Sequence, residues 1–185
     1  MCLIVFSWRV VPGVPIIAAA NRDELYDRPA APAAAWPDRP QVYAGRDLKF
    51  GGSWMGITQQ GPNGPRFAAL TNIRGPNERR PDAPSRGALV ADFLASCMSA
   101  SAYVAAIADG SEAYNGFNLV LGDRDEMLWF SNRGAADARN GQRLEPGIYG
   151  ISNGLLDAPW PKVLKTKAQF ASLLCLGAPE DAYFE

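Results

Sequence analysis

The chain contains no histidine. That absence removes Ser-His-Asp and Cys-His catalytic sets, His-ligated zinc and His-ligated haem together, so any nucleophile here needs another base. Cysteine is scarce as well: Cys2, Cys97 and Cys175 are an odd number at wide spacing, with no C-x-x-C pair. They form neither a disulfide framework nor a structural zinc site, and no metal is expected; a reducing compartment, the cytoplasm, is. A surplus of either charge is also missing, because 18 Lys and Arg are interspersed with 19 Asp and Glu. With no basic stripe and no polybasic patch, neither nucleic acid nor a charged membrane surface is an expected partner. Long apolar runs are absent too. Arg9, Pro12, Gly13 and Pro15 break up the first apolar stretch, which lacks the basic start of a secretory signal, and no segment approaches a membrane span.

What remains is 185 residues, 48% of them apolar, enough to bury one sizeable core. Residues 1–185 therefore read as a single domain. Cys2 to Trp8 and Val14 to Ala20 are short apolar runs separated by Val11-Pro12-Gly13, which predicts a buried β-hairpin with Asn21-Arg22-Asp23-Glu24 at its end. Arg28 to Pro40, rich in Pro and Ala and without periodicity, reads as an extended loop held by Trp36. Strands are predicted over Gln41 to Ala44, Ser53 to Thr58 and Arg66 to Thr71, punctuated by Gly51-Gly52 and Gly61-Pro62-Asn63-Gly64.

Helix is expected after Ser85 as N-cap, where Leu89, Val90, Phe93, Leu94 and Cys97 recur at helical spacing, and again over Ala102 to Ala108. Phe117 to Leu121 and Met127 to Phe130 flank Gly122-Asp123-Arg124-Asp125 as a hairpin, and Ile148 to Ser152 reads as another strand. Pro161 opens an amphipathic helix carrying Val163, Leu164, Ala168, Ala171, Leu174 and Cys175 inward, with Gly177 as its stop. Cys97 and Cys175 are thus expected on apolar helix faces. Strands, helices, strands and a helix in that order, without βαβ alternation, point to an α+β domain.

Cys2 stands directly behind Met1. Aminopeptidases remove an initiator methionine before a small residue, and the chain would then begin with a nucleophile. Its α-amine, with a pKa of about 8, can take the thiol proton directly or through one water, so histidine is not needed. Asp23, one hairpin away, is placed to hold such a pair. Gly150-Ile151-Ser152-Asn153-Gly154 matches the G-x-S-x-G nucleophile elbow letter for letter, but without histidine that match reads as accidental. Plainer readings stand beside these. Cys2 also fits a small buried hydrophobe, Asp23 and Glu24 fit loop caps, Asn72 and Asn153 fit turns, and Trp54 and Trp160 fit packing.

The start Met1-Cys2-Leu3-Ile4, the tetrad Asn21-Arg22-Asp23-Glu24, and Gly51-Gly52-Ser53-Trp54-Met55-Gly56 resemble the NRDE family, also called the transport and Golgi organisation family. Thr71-Asn72-Ile73-Arg74, Ser85-Arg86-Gly87, Gly116-Phe117-Asn118-Leu119, Tyr149-Gly150-Ile151-Ser152-Asn153 and Pro159-Trp160-Pro161-Lys162 extend the resemblance in order along nearly the whole chain. Through that family the chain is similar, more distantly, to cysteine N-terminal nucleophile (Ntn) hydrolases such as penicillin V acylases and bile salt hydrolases.

The resemblance implies an Ntn-hydrolase-like αββα four-layer sandwich. It also implies a further strand segment past Glu185 with a Tyr-Gly-Thr-Arg type motif, so the sandwich is expected to be incomplete at its C-terminus. By position it makes Cys2 the nucleophile, Asp23 the holder of thiol and amine, and Asn72 and Asn153 donors to the oxyanion or substrate. Asn21, Arg22, Arg28, Trp54 and Arg74 become candidate substrate contacts. One departure is plain: the hydrolases carry an arginine just ahead of their Asn-x-Asp, where this chain has Ala20.

The expected function is hydrolysis of an amide or other acyl bond of a small molecule, with no cofactor. The alternative implied by the resemblance is a non-catalytic haem-binding or lipid- or acyl-CoA-binding and trafficking protein, in which haem is a ligand without a histidine.

Overall fold

The expected first hairpin forms, in a computed structural model that describes residues 2–59, 64–75 and 80–176, but only its first strand is buried: the second lies at a sheet edge and is largely exposed. β1 (Leu3–Val11) and β2 (Val14–Asn21) pair antiparallel with Leu3 opposite Asn21, and β9 (Gly147–Ile151) adds to the other edge of β1 with Ile4 opposite Ile151. The result is a three-stranded sheet in the order β2-β1-β9. A second, six-stranded antiparallel sheet runs β3-β4-β5-β6-β7-β8. Its strands are β3 (Ala30–Trp36), β4 (Arg39–Asp47), β5 (Met55–Thr58), β6 (Arg66–Asn72), β7 (Phe117–Gly122) and β8 (Met127–Ser131). Three α-helices, α1 (Gly87–Ala95), α2 (Ala100–Ala108) and α3 (Pro161–Cys175), and a short 3-10 helix (Ser111–Ala113) complete the described elements.

Strand alternation divides the apolar residues among three clusters. On β6, β7 and β8, Ala68, Leu70, Phe117, Leu119, Leu121, Leu128 and Phe130 turn toward Leu89, Val90, Phe93 and Leu94 of α1 and Tyr103 and Val104 of α2. The intervening residues Phe67, Ala69, Val120, Met127 and Trp129 turn the other way, onto Ile4, Phe6 and Trp8 of β1 and Ile151 of β9. Val5, between Ile4 and Phe6, faces Phe170 and Leu174 of α3. A strand buried on both faces has no polar side to show, which is why these segments read as continuous apolar runs. Each fully buried Phe or Leu contributes about 2–3 kcal/mol of transfer free energy.

Several expectations are corrected. The extended loop over Arg28 to Pro40 contains β3, an edge strand paired with β4. Its pairing slips between Ala31 and Ala34, across Pro32, because proline cannot donate to a ladder and is tolerated at an edge bulge. Trp36 does anchor this segment: it is buried, its Nε1 donates to the Ala44 carbonyl at 3.0 Å, and the Arg46 guanidinium lies 4.4 Å from its ring centroid.

Ser85 does not cap α1 with its side chain. The N-cap is Arg86, with no side-chain cap bond, and Ser85 contributes only its carbonyl, to the Ala88 N–H at 3.2 Å. Ser99 does cap α2, which begins two residues earlier than expected, by accepting from the Ala102 N–H at 3.2 Å. Cys97 lies beyond the end of α1 and is exposed, as is Cys175, so neither is a core residue. The Gly61-Pro62-Asn63 part of one predicted turn, the Gly177 stop and Met1 lie outside the described residues.

The start of α1 is set by backbone contact instead. The Ser53 N–H donates to the Gly87 carbonyl at 3.1 Å, and a Cβ on Gly52 would stand 2.6 Å from that same carbonyl oxygen and 2.9 Å from the Ala88 nitrogen. Two of the short motifs of the sequence therefore meet glycine to glycine. The far end of α1 is held by Arg66 of β6, whose buried guanidinium donates to the carbonyls of Phe93 (2.8 Å), Ser96 (2.5 Å) and Met98, a cation on a helix C-terminus.

Gly52→Ala is expected to lower the unfolding free energy by about 2 kcal/mol or more, because backbone rather than a flexible side chain must give way. Gly110→Ala, where a Cβ meets nothing within 4 Å, should change it by no more than about 0.5 kcal/mol. Urea unfolding of the two variants checks this, and equal midpoints would remove the Gly52–Gly87 contact as a constraint.

Candidate active site

Cys2 immediately precedes β1 and is 8% exposed. Continuing the β1–β2 register one residue past Leu3–Asn21 brings Arg22 opposite Cys2, and continuing the β1–β9 register two residues past Ile4–Ile151 brings Asn153 opposite it on the other side. Strand alternation gives Cys2 the same face as Ile4, Phe6 and Trp8, the one turned toward the six-stranded sheet.

The peptide of Cys2 is held in place. Its carbonyl accepts from Ser152 Oγ at 2.7 Å and lies 3.5 Å from Lys162 Nζ, at the start of α3. Ser152 is itself buried. Asn153, next along, donates through Nδ2 to the Asn72 carbonyl at 2.8 Å, while its own carbonyl accepts from the Arg74 N–H at 3.1 Å. The end of β6 is thereby tied to the end of β9, one strand from Cys2.

A second tie lies beside the first. Asn118 of β7 is 1% exposed and donates to the Gly154 carbonyl at 2.8 Å and to Thr71 Oγ1 at 3.1 Å, while its Oδ1 accepts from Trp129 Nε1 at 3.1 Å. With three good bonds, this buried amide escapes the desolvation cost that an unpaired one would carry.

Of the sequence-predicted residues, Cys2, Arg22, Asn72, Arg74 and Asn153 are brought to one end of the space between the sheets. Asn21 closes β2 and is exposed, as is Asp23 just beyond it. Arg28 is drawn elsewhere: it binds Asp47 of β4 through Nη2 at 2.5 Å and Nε at 3.2 Å, and lies 3.6 Å from Glu24, which pairs with Arg22 at 2.6 Å. An alternating chain Arg22–Glu24–Arg28–Asp47 thus runs from the Cys2 end to β4. Trp54 packs in the inter-sheet cluster, and its carbonyl accepts from the Leu70 N–H at 2.7 Å.

Ser152, Lys162 and Asn118 are contacts that sequence reasoning passed over. All three lie in short motifs, Tyr149-Gly150-Ile151-Ser152-Asn153, Pro159-Trp160-Pro161-Lys162 and Gly116-Phe117-Asn118-Leu119, and the motifs were the available signal.

Burial pushes the Cys2 thiol above its ordinary pKa, while the positive charges of Arg22 and Arg74 pull it back down and Glu24 pushes it up. The thiol is therefore protonated at neutral pH and needs a neighbouring base before it can act as a nucleophile.

A family model described as Transport and Golgi organisation 2 matches residues 1–182. The transport and Golgi organization protein 2 homolog of Bos taurus is 39% identical over 98% of this chain and 68% of its own length. The Homo sapiens homolog is 36% identical over 92% of this chain and 63% of its own. The Drosophila melanogaster transport and Golgi organization protein 2 is 30% identical over 94% and 65%. The chain thus spans about two thirds of the length of the curated relatives it matches. No helix among the described residues is long and apolar enough to cross a membrane.

The balance of charges around the thiol makes a directional prediction. The pH midpoint for alkylation of Cys2, followed by peptide mass spectrometry, should lie above that of an unperturbed thiol. Arg22→Ala should raise it further, because a charge that favours the thiolate is lost. A midpoint lowered or unmoved by Arg22→Ala would mean that the guanidinium does not face the thiol.

Proposed function

The chain belongs to the transport and Golgi organisation 2 family, and from the site built at Cys2 we propose that it is a cysteine N-terminal nucleophile hydrolase acting on an amide or other acyl bond of a small molecule. The observation that carries this reading is the hold on Cys2 itself. A buried cysteine at the entry of a central strand, its carbonyl gripped by Ser152 and Lys162 and its flanks formed by Arg22 and Asn153, is fixed as a reacting group must be. A thiol whose role was only to fill space would need no such grip.

The packing order supports the same reading. Helices α1 and α2, the six-stranded sheet, the three-stranded sheet and α3 follow one another through three apolar clusters, the order expected of an αββα Ntn-hydrolase-like sandwich. Exposed, unbridged Cys97 and Cys175 fit a reducing compartment, the cytoplasm.

In the proposed reaction Met1 has been removed, and the free α-amine of Cys2, with a pKa of about 8, accepts the thiol proton. Asp23 holds the ammonium so formed. The sulfur attacks the acyl carbon, and the negative charge that develops on the acyl oxygen meets the side-chain amides of Asn72 and Asn153. Asn153 has one N–H engaged on the Asn72 carbonyl and one left to give. The C–N bond then breaks, the leaving nitrogen takes the proton from the ammonium, and an acyl thioester remains. Water attacks the thioester carbon, gives one proton to the amine, and the departing sulfur recovers it as the acid is released.

The exposure of the other two cysteines defines the test. A small unselective alkylating reagent should label Cys97 and Cys175 first, simply because they are exposed. In a Cys97→Ser, Cys175→Ser background, intact mass should show loss of Met1, and an acyl-type electrophile should label Cys2 faster than a free thiol. Cys2→Ala should cut amide or thioester turnover by on the order of a thousandfold or more. Retention of Met1, or labelling of Cys2 at or below the free-thiol rate, overturns the proposal.

A further inference from the structure

Three cations from three separate segments of the chain lie at the Cys2 end. Arg22 stands across from Cys2 at the end of β2, Lys162 Nζ lies 3.5 Å from the Cys2 carbonyl, and Arg74 is pinned through its N–H to the Asn153 carbonyl at 3.1 Å. Of these, Arg22 shares Glu24 with Arg28, at 2.6 and 3.6 Å respectively. Arg74 and Lys162 make no ion pair among the described residues. Lys162 instead rests its ammonium 5.4 Å from the Trp160 ring centroid.

The position of Lys162 is costly in isolation. It occupies the first turn of α3, where the partial positive charge of the helix N-terminus repels a cation, and that turn contains no acidic residue. A half-buried lysine at a repelling helix end, beside the Cys2 carbonyl, and an exposed arginine within electrostatic reach of the Cys2 thiol with no carboxylate partner among the described residues are both explained if an anion binds at this end.

We propose that the compound handled at Cys2 carries an anionic group, a carboxylate or a phosphate beside its acyl bond, and that Arg74 and Lys162 bind it. As the substrate class of the same site, this rests on the hydrolase reading above. Arg74 offers the planar fork that pairs with carboxylate or phosphate oxygens, and Lys162 a point charge beside it. That Arg74 also favours the thiolate of Cys2 fits its standing within electrostatic reach of the sulfur.

Iodoacetate and iodoacetamide differ chiefly in charge, and both alkylate a thiolate by displacing iodide from the methylene carbon with formation of one S–C bond. Their labelling ratio at Cys2, divided by the ratio at Cys175 in the same molecule, reads the local charge without requiring turnover or loss of Met1. Iodoacetate should be favoured at Cys2 by about tenfold at low salt, and the preference should shrink at about 0.5 M salt. Arg74→Gln and Lys162→Gln should each reduce it, and together reduce it to what Arg22, partly neutralised by Glu24, leaves. Lys165→Gln, the same charge change elsewhere on α3, should leave it intact.

Competition at matched ionic strength assigns the group. Stronger protection of Cys2 by inorganic phosphate assigns phosphate, and stronger protection by acetate a carboxylate. Equal ratios at Cys2 and Cys175, a preference undiminished by the double substitution, or protection by neither anion beyond chloride overturns the inference. Retained Met1 or absent acyl turnover would instead sink the hydrolase reading while leaving the charge preference measurable.

Discussion

The Cys2 end of the molecule depends on two side-chain amides that cross from sheet to sheet. Asn153 reaches from the end of β9 to the Asn72 carbonyl of β6, and Asn118 reaches from β7 to the Gly154 carbonyl, at 2.8 Å each. Apolar packing between the sheets is strong but non-directional, and it would tolerate a small slide of one sheet over the other. Two buried hydrogen bonds with fixed donors do not tolerate such a slide, because each partner would be left unsatisfied at a cost of about 1–3 kcal/mol. The relative placement of Cys2, Asn72 and Arg74, which lie on different sheets, follows from these ties.

A further layer holds the tie itself. Asp157, in the turn after Gly154, has a positive φ of 57° and accepts from the Gly150 N–H at 3.0 Å and from Lys167 Nζ at 2.6 Å through one oxygen, and from Arg139 at 2.9 Å through the other. The left-handed backbone is unfavourable for a residue with a Cβ, and Asp tolerates it better than most. Its carboxylate returns the turn to β9 and joins it to α3. Gly150 has no room for a side chain there, since a Cβ would come within 2.8 Å of Val163. Helix α3 consequently sits close on β9, and Lys162 at its start reaches the Cys2 carbonyl.

Much of the fold was legible because its strands are either continuously apolar or sharply punctuated. The β1–β2 and β7–β8 hairpins, β6 and α3 all appear where periodicity and turn residues predict them, although α3 buries Val163, Phe170 and Leu174 and leaves Leu164, Ala168 and Cys175, expected inward, exposed. β3 was not legible, since a strand of alanines and a proline at a sheet edge buries little and so carries neither alternation nor an apolar run. The cap of α1 was misread for a related reason: Ser85 has the right chemistry, but a backbone contact between Gly52 and Gly87, distant in sequence, decides where the helix starts. Cys97 continued the helical spacing of Leu94 and Phe93 on paper, yet α1 ends at Ala95, with Arg66 drawing its last carbonyls together. At the site, Cys2 was marked by its place behind Met1, while Arg22, Asn72, Arg74 and Asn153 were implied only by the family resemblance. Ser152 and Lys162 were hidden because what they hold is a main-chain carbonyl, and no residue pattern advertises a carbonyl.

The short motifs that read together as one signature separate physically into two kinds. Gly52 with Gly87, and Asn118 with Trp129 and Thr71, set distances between elements and have no need to meet a ligand. Arg22, Arg74, Ser152, Asn153 and Lys162 surround Cys2 and set its position and charge. The two kinds depend on one another. Burial of the thiol raises its pKa and disfavours the thiolate, while the sheet-to-sheet ties keep Arg74, Asn72 and Asn153 near it. Under the proposed function, a cysteine disfavoured as a thiolate by burial and then supplied with positioned charges is controlled by what binds beside it, and the anionic substrate proposed above is the partner whose charge complements that surrounding.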